Sequence, residues 1–533
     1  MRFLAEPPTE DEVRQLADAL GYPLSPAEGR VVAVNVRDVV DLVESLDVPG
    51  LEEERPAPTH RLRTPGRRPS ADEDPYNAFI TTCRVEGAPD GPLAGVEVAL
   101  KDHVAVAGVP LTFGWRPMAG FTPDFDATIV TRLLDAGGTI VGKLNMDQLS
   151  MCGAAFGGVS DYGRVKNPRN PDHLTAGSSS GAGAAVASGQ VDAAIGGDQG
   201  GSVRMPAAWC GVVGIKPTFG LVPHSGVFGA EPSIDHVGPL ARTVELTARV
   251  LGVLAGPDGQ DPRQRDVPAP PDYTAGLDGD AGGIRLGVLE EGFAGGDADP
   301  VVRDAIDRLA SAGATAESVS VPQHSAGTAI FWMLLAEGTR RVVESNLGGA
   351  FARTHYPADL IAHFGRLRES HGRELPTYLK TVLLTAAAFE RRHHGAVYAR
   401  GQNLRGRLAA LYDAALESVD VLVMPTMAGV APPYQAPADA EEAFEQTLLT
   451  RRGRRVAEHI GFNLSPFNAT GHPAISVPCG SLNGLPVGLQ LVGRHFDEAR
   501  LLRVASAVEA VAAESTPPVG SAAGRRDLPQ ACG

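Results

Sequence analysis

Hydrophobic and polar positions at the start of the chain follow a helical period. Apolar residues recur at helical spacing over residues 10–46. The segment Thr9-x-x-Glu12 has the form of a capping box, and a second such box begins at Ser25. We therefore predict two helices that fill this region.

The composition changes after the predicted helices. Residues 52–74 are rich in Pro, Arg and Glu and lack apolar periodicity, which is typical of a linker that wraps the surface. We place an N-terminal helical segment with its linker at residues 1–74 and the start of the main domain at Pro75.

From Pro75 onwards, short apolar runs of strand type alternate with helical patterns. Such alternation predicts an α/β domain around a buried sheet. The runs that carry this interpretation are residues 96–100, 127–136, 139–141, 182–188 and 193–195.

The alternation is interrupted where Pro, Asp and Gly dominate residues 257–280. A strand is predicted at residues 284–288, and a long helical region follows it to about residue 411, which we interpret as an inserted small domain. Strand-like apolar runs, similar to those before residue 200, occur again at 421–424, 474–477 and 487–492. The predicted large domain is therefore discontinuous, with parts at 75–267 and 406–515, the insert at 268–405 and a disordered tail at 516–533.

The net charge and the cysteine spacing argue against nucleic-acid binding and against a disulfide or zinc framework. A formal net charge of -16 argues against a nucleic-acid-binding surface, which requires clustered Lys and Arg. The cysteines are scattered and never spaced as C-x-x-C, which favours a reducing compartment over a disulfide or zinc framework. They are Cys83, Cys152, Cys210, Cys479 and Cys532.

Targeting signals are missing from the sequence pattern. The N-terminus lacks a basic segment followed by an apolar run, and eighteen consecutive apolar residues occur nowhere. We expect a cytoplasmic protein without membrane contact.

Three segments in the middle third carry candidate chemistry. Lys101 ends a strand-like apolar run, Ser178 lies in a Gly/Ser-rich loop before an Ala-rich helical pattern, and Ser202 lies in a second glycine-rich loop. A serine hydroxyl reacts only when a base takes its proton, and a lysine accepts a proton only when burial keeps it neutral, against an ordinary pKa of about 10.4. One serine relaying a proton between the lysine and a second serine would satisfy this need.

The second glycine-rich loop favours Ser202 as the nucleophile. The pair Gly200-Gly201 allows successive N–H groups to point at one place, where a carbonyl oxygen that becomes an oxyanion could be held. A carboxylate four residues before Ser202 and a guanidinium two residues after it flank this loop.

These segments resemble the amidase signature family, in which a Gly/Ser-rich motif precedes a D-x-G-G-S-x-R motif. The resemblance implies Ser202 as the nucleophile, Lys101 as a neutral base and Ser178, held by a cis peptide bond, as the proton relay. It further implies oxyanion donors and supporting residues around the nucleophile. The donors are the main-chain amides of Gln199, Gly200, Gly201 and Ser202, and the supporting residues are Ser179, Asp198 and Arg204.

The resemblance extends over about residues 75–509 and implies the family's fold. That fold has a mixed central sheet flanked by helices, here with the N-terminal helical segment and the inserted small domain. Within the family, the chain looks most similar to bacterial amidases that accompany nitrile hydratases, which implies a homodimer that hydrolyses small amides to acid and ammonia. We predict that the protein needs no cofactor.

Departures from the family pattern fall near the expected substrate pocket. His103 replaces a common Asn, and Gly114-Trp115 replaces a usual Gly-Ser. We expect residues 331–337 of the insert, with loops near Trp115 and Phe228, to shape the acyl pocket.

Competing interpretations of single motifs are weaker. Gly177-x-Ser179-x-Gly181 has the form of a nucleophile elbow and would make Ser179 the nucleophile with His472 as a partner, but no strand precedes it, and Lys101 would be left unused. The run from Gly137 to Lys143 imitates a phosphate loop but lacks its Ser or Thr. The histidines lack metal-ligand spacing, so we predict no metal.

Two other functional classes stay open beside a free-standing amidase. One is a glutamine-hydrolysing component similar to the A subunit of tRNA-dependent amidotransferases, and a related possibility is acyl transfer to another amine. The other is a silent binding protein that has kept the fold, which the reactive residue types at all three candidate positions argue against.

Overall fold

The computed structural model describes residues 8–44, 57–151, 160–348, 352–436 and 462–515. The predicted tail at 516–533, Cys152 and Cys532 lie outside these ranges. The chain divides into two compact units, Met1–Ala57 and Pro58–Gly533.

The first unit contains two helices, α1 (Glu10–Ala19) and α2 (Pro26–Glu44), which confirms the predicted helical pair. The side chain of Thr9 accepts a bond from the backbone N–H of Glu12, and the Thr9 N–H donates to the Glu12 carboxylate at 2.7 Å. Because both groups would otherwise lack a partner at the helix start, this reciprocal pair fixes where α1 begins.

The second unit is built on one sheet of eleven strands in the order β1-β3-β2-β4-β6-β5-β10-β11-β9-β7-β8. Parallel pairs occur near both edges and antiparallel pairs run through the centre, so the sheet is mixed, as the family resemblance implies. In chain order the strands β1 to β11 are Phe79–Val85, Glu97–Lys101, Thr139–Leu144, Ala193–Asp198, Val213–Lys216, His236–Ala241, Arg285–Leu289, Thr315–Val319, Val421–Pro425, Ala474–Leu482 and Leu485–Val492.

Helices flank this sheet, which confirms the predicted α/β class. None of the helices in the described ranges is both long and apolar enough to cross a membrane. The helices α3 to α13 are Thr128–Asp135, Ser180–Ser188, Arg204–Cys210, Val244–Leu254, Asp299–Ser311, His324–Glu344, Ala358–His371, Thr377–His393, Ala396–Ala415, Ser465–Thr470 and Glu498–Ser515.

The region predicted as an inserted small domain contributes to the main sheet. Its strand β7 pairs in parallel with β9, and β8 pairs in parallel with β7. The long helical region expected after β7 is therefore interrupted by a strand, at Thr315–Val319. The residue bounds of the insert stay a prediction.

The linker residues that the second unit includes run along the edge of the sheet. Arg63 and Arg67 form bridges with Val85 and Thr82 of β1, and the Arg63 guanidinium binds the Asp126 carboxylate at 2.5 Å. These contacts add backbone bonds to the free side of β1, which would otherwise be an open edge.

The central strands pack so closely that one glycine cannot be replaced. A Cβ atom on Gly238 of β6 would lie 1.9 Å from the carbonyl oxygen of Ile215 on the neighbouring strand, whereas a Cβ atom on Gly406 of α11 would meet nothing within 4 Å. The sheet must therefore deform to accept even a methyl group at position 238.

We expect Gly238→Ala to destabilise the protein by roughly 2 kcal/mol or more, because the added methyl forces the two strands apart. The matched control Gly406→Ala should be neutral or stabilise the helix by about 0.5–1 kcal/mol. Thermal unfolding followed by circular dichroism measures both, and equal midpoints for the two variants would contradict the packing described.

Candidate active site

Lys101 is the last residue of β2, which lies between the parallel neighbours β3 and β4. Its side chain is fully buried. The Nζ atom lies 2.6 Å from the Oγ atom of Ser178 and donates a hydrogen bond to it. The structure therefore brings together two of the three predicted catalytic residues, which are 77 positions apart in the sequence.

The acidic residue after Lys101 is paired with a different lysine. Asp102 accepts a hydrogen bond at 2.6 Å from Nζ of Lys143, and both side chains are fully buried. Asp102 also accepts bonds from the backbone and hydroxyl of Thr112. Lys143, which sequence analysis excluded from phosphate binding, thus compensates the Asp102 charge beside Lys101.

Ser178 is joined to Gly177 by a cis peptide bond, as the family resemblance implies. The carbonyl of Ser178 accepts a hydrogen bond from the N–H of Asp147 at 3.1 Å. A Cβ atom at position 177 would lie 2.2 Å from the Asp147 carboxylate, so the residue before Ser178 must be glycine.

Ser179 links the two serine loops. Its hydroxyl donates to the carbonyl of Gly197 at 3.1 Å and accepts from the N–H of the same residue at 3.2 Å. Its own N–H donates to the carbonyl of Ser202 at 3.3 Å. Ser179 thus connects the two loops by hydrogen bonds and places the Ser202 backbone beside the Lys101–Ser178 pair. Because its hydroxyl is used in this way, the interpretation of Ser179 as the nucleophile of an elbow has no support.

Ser202 lies in a loop that winds around the carboxylate of Asp198. The Asp198 side chain accepts hydrogen bonds from the backbone N–H groups of Gly201 at 2.7 Å and Val203 at 3.1 Å. Gly201 has a backbone φ of +117°, a conformation that residues with a side chain rarely adopt. The neighbouring Ser202 is 8% exposed. The shape of the nucleophile loop therefore depends on one buried acidic group.

Arg204 balances the charge of that acid. Its Nε and Nη2 atoms each lie 3.0 Å from a different oxygen of Asp198, and both side chains are fully buried. Burial alone would raise the pKa of the Asp198 carboxyl, but the attraction and hydrogen bonds of Arg204 hold that pKa below its usual range. The carboxylate consequently stays ionised and keeps its bonds to the loop.

Two buried amides complete the network, and sequence analysis did not find them. The amide of Asn468 donates to both the carbonyl and the carboxylate of Asp198 at 2.8 Å. The side-chain oxygen of Gln490 accepts from Arg204 at 2.9 Å. Neither residue has a local spacing that relates it to position 198.

The predicted oxyanion donors need one correction. The N–H of Gly201 points at the Asp198 carboxylate, so it is already used inside the loop. Within the described residues, the backbone N–H groups of Gln199, Gly200 and Ser202 have no acceptor, which leaves these three for a substrate oxygen. The bond from Gly201 to Asp198 holds the bend of the loop.

His103 borders the nucleophile loop. Its side chain is fully buried, and its Nδ1 atom lies 3.3 Å from the carbonyl of Lys101. Burial and the nearby lysine lower the pKa of His103 well below the usual value, so the ring is neutral. A Cβ atom at Gly197 would lie 2.4 Å from its Nε2 atom, so His103 fixes how closely β4 approaches β2.

Aromatic side chains lie next to the loop on the side of the predicted insert. A Cβ atom on Gly200 would lie 2.8 Å from the ring of Phe331, which belongs to α8. The rings of Phe113 and Phe228 meet edge to face at 5.9 Å. Phe331 therefore places an apolar ring beside Gly200, and this ring comes from the predicted insert.

Comparison with known proteins agrees with this arrangement. A family model described as Amidase matches residues 78–502. An enantioselective amidase from Rhodococcus rhodochrous is 40% identical over 482 residues, which is 88% of this chain and 89% of that protein.

Two further relatives have different names. The A subunit of glutamyl-tRNA(Gln) amidotransferase from Natronomonas pharaonis is 40% identical over 440 residues, covering 81% of this chain and 99% of that protein. The solved structure of native peptide amidase from Stenotrophomonas maltophilia aligns with a TM-score of 0.63 at 32% identity, covering 79% of this chain and 83% of that one. The family is thereby shown, whereas the resemblance to nitrile-hydratase-associated amidases stays a prediction. The chain belongs to the amidase family and is an amide-hydrolysing enzyme.

Proposed function

We propose that the protein hydrolyses a small carboxamide to a carboxylic acid and ammonia through an acyl intermediate on Ser202. The observation that carries this proposal is the hydrogen bond of 2.6 Å between the buried Nζ of Lys101 and Oγ of Ser178. A buried lysine beside a hydroxyl has the chemistry of a general base acting through a relay.

In the first half-reaction, Oγ of Ser202 attacks the amide carbonyl carbon. Its proton passes to Oγ of Ser178 while the Ser178 proton passes to neutral Lys101. The carbonyl oxygen becomes an oxyanion that accepts hydrogen bonds from backbone N–H groups of residues 199, 200 and 202. The C–N bond then breaks, the nitrogen receives the relayed proton, and ammonia leaves.

In the second half-reaction, water attacks the acyl carbon. The water proton passes through Ser178 to Lys101. Lys101 then returns this proton through Ser178 to Oγ of Ser202 as the tetrahedral intermediate collapses and releases the carboxylic acid. In both halves, the relay first takes a proton from the attacking oxygen and then gives it to the leaving group. The reaction consumes one amide and one water and requires no redox partner.

The apolar ring beside Gly200 indicates the acyl group. Phe331 and the edge-to-face pair of Phe113 and Phe228 can contact an aryl or alkyl chain, whereas these rings offer no charged partner to the α-amino and α-carboxylate groups of glutamine. Within the wider class of small amides, this favours amides with an apolar acyl group.

A glutamine-hydrolysing component of an amidotransferase is the second candidate, because one relative with that name is 40% identical to this chain. The match to the enantioselective amidase extends further along this chain, over 88% rather than 81% of it. The greater coverage supports the free-standing enzyme. Transfer of the acyl group to an amine in place of water would use the same intermediate.

The assembly and location of the protein are also part of the proposal. We place it in the cytoplasm as a homodimer, and the cysteines Cys83, Cys210 and Cys479 are buried and unpaired, which suits a reducing compartment. In the N-terminal unit, Leu20 and Val31 are 68% and 62% exposed, and exposed apolar side chains of this kind support an intersubunit contact.

The purified chain alone should release ammonia from a panel of benzamide, an arylacetamide, an aliphatic amide and glutamine. We expect turnover of at least one apolar amide without any added protein, and faster turnover of it than of glutamine. Coupled-enzyme detection of ammonia measures this. Activity that is confined to glutamine and requires added partner proteins would support the amidotransferase component instead.

Ser202→Ala should lower kcat by roughly 10⁴-fold or more, because no other group can carry the acyl chain. Intact-mass spectrometry of quenched reactions should show the acyl adduct on the unchanged protein and none on the variant. Ser188→Ala is the matched control, since that hydroxyl binds Gln190 at the end of α4. Normal turnover in Ser202→Ala would overturn the assignment.

Lys101→Arg should lower kcat/KM by roughly 10³-fold, because a guanidinium stays protonated and cannot accept the Ser178 proton. In the unchanged protein, kcat/KM should rise with pH until the lysine is neutral and then level off. The control Lys380→Arg replaces a lysine on the exposed side of α10. Activity of Lys101→Arg within tenfold of the control would contradict a neutral lysine base.

A further inference from the structure

Three potential metal ligands converge away from the serine loops. Asp413 lies in the last turn of α11, His472 follows α12, and His495 precedes α13. One oxygen of Asp413 lies 3.1 Å from Nε2 of His472 and 3.6 Å from Nδ1 of His495. The three ligand atoms all lie within 4.8 Å of one another.

A single residue orients both imidazole rings. The hydroxyl of Thr470 lies 2.9 Å from Nδ1 of His472, and the carbonyl of Thr470 lies 3.1 Å from Nε2 of His495. In protein metal sites, a ligand histidine characteristically donates its second N–H to such an acceptor, which fixes the ring and its tautomer. Thr470 provides that acceptor twice.

The carbonyl of Thr470 determines the tautomer of His495. A carbonyl only accepts hydrogen bonds, so Nε2 must carry the hydrogen, and Nδ1 of the neutral ring presents a lone pair. That lone pair faces the Asp413 carboxylate at 3.6 Å. Two electron-rich atoms at this distance repel each other unless a proton or a metal cation lies between them.

We propose that Asp413, His472 and His495 bind a zinc ion. A tetrahedral zinc with bonds of about 2.0–2.2 Å has edges between ligand atoms of roughly 3.3–3.6 Å, close to the two distances from Asp413. Two imidazole nitrogens and one carboxylate oxygen are ligands that zinc accepts. The side chain of Asp413 is 54% exposed, so water can reach the fourth position.

The charges around the three ligands set the expected strength of binding. Nζ of Lys216 donates to the carbonyl of His472 at 2.5 Å, and the Arg494 guanidinium binds carbonyl oxygens of Leu416 and Val419 just beyond Asp413. The Arg494 guanidinium opposes a metal, and only one carboxylate attracts it. We therefore expect binding in about the micromolar range, weaker than for structural sites with four protein ligands.

The proposed zinc would stabilise the fold and take no part in the serine chemistry. It would join α11 to the segment around Thr470, which ends α12. The same helix carries Asn468, whose amide binds Asp198 beneath the nucleophile loop. This inference is independent of the proposed function, and it departs from the prediction of no metal made from the sequence.

The test uses the full, untagged chain after treatment with a chelator. We expect isothermal titration with zinc chloride to show one site that Asp413→Asn and His495→Gln each weaken at least tenfold. Zinc should raise the melting midpoint of the unchanged protein but not that of these two variants. Asp413→Asn keeps a hydrogen-bond acceptor for His472, so loss of binding there reports the metal and not the fold. His393→Gln, at an exposed position at the end of α10, is the control.

Two results would overturn the zinc site. One is the absence of binding at tens of micromolar zinc, which would mean that a proton on His495 provides the positive charge. The other is equal binding by Asp413→Asn, His495→Gln and the unchanged chain, which would place the bound metal elsewhere. Circular dichroism of each variant verifies the fold, and ammonia release is not used, so this result stands apart from the tests of Ser202 and Lys101.

Discussion

The buried ion pair of Asp198 and Arg204 is the interaction on which the catalytic arrangement depends. Removing two charges from water costs several kcal/mol per ion, and such a pair persists only when its remaining polar atoms are also bonded. Here the backbone of the Ser202 loop, Asn468 and Gln490 provide those bonds. The network stabilises one loop shape, in which the Ser202 carbonyl accepts a hydrogen bond from Ser179. Loss of either charge would leave the other buried and unpaired, so the loop and the network form or fail together.

Local spacing revealed much of this loop. Asp198, Ser202 and Arg204 lie within seven consecutive positions, and the tight turn needs glycine, so the sequence shows both the chemistry and the conformation. Lys101 and Ser178 are different, because a separation of 77 residues carries no information on contact and only the family resemblance relates them. The bond from Gly201 to Asp198 was missed, since composition cannot show which way each N–H points.

In the overall fold, too, local features could be predicted from the sequence and contacts between distant segments could not. Apolar runs located the strands well, including Glu97–Lys101 and Val421–Pro425, because buried strands impose a visible pattern. The pattern does not predict which strands pair with one another, so the pairing of β7 with β9 was not predicted. Likewise, Asp413, His472 and His495 have no ligand spacing in the sequence and meet only because α11, the Thr470 segment and the turn before α13 pack together.

Continuity of the sheet has a consequence for how this enzyme can diversify. Phe331 belongs to a helix that follows β8, and β8 is joined through β7 and β9 to the ladder that also contains β2 and Lys101. Moving Phe331 away from Ser202 would require α8 to leave the helices packed against it, α10, α11 and α12, which is costly compared with exchanging one side chain. New preferences for amides should therefore arise by replacing residues on a fixed frame, and evolution can alter selectivity there while the proton relay keeps its geometry.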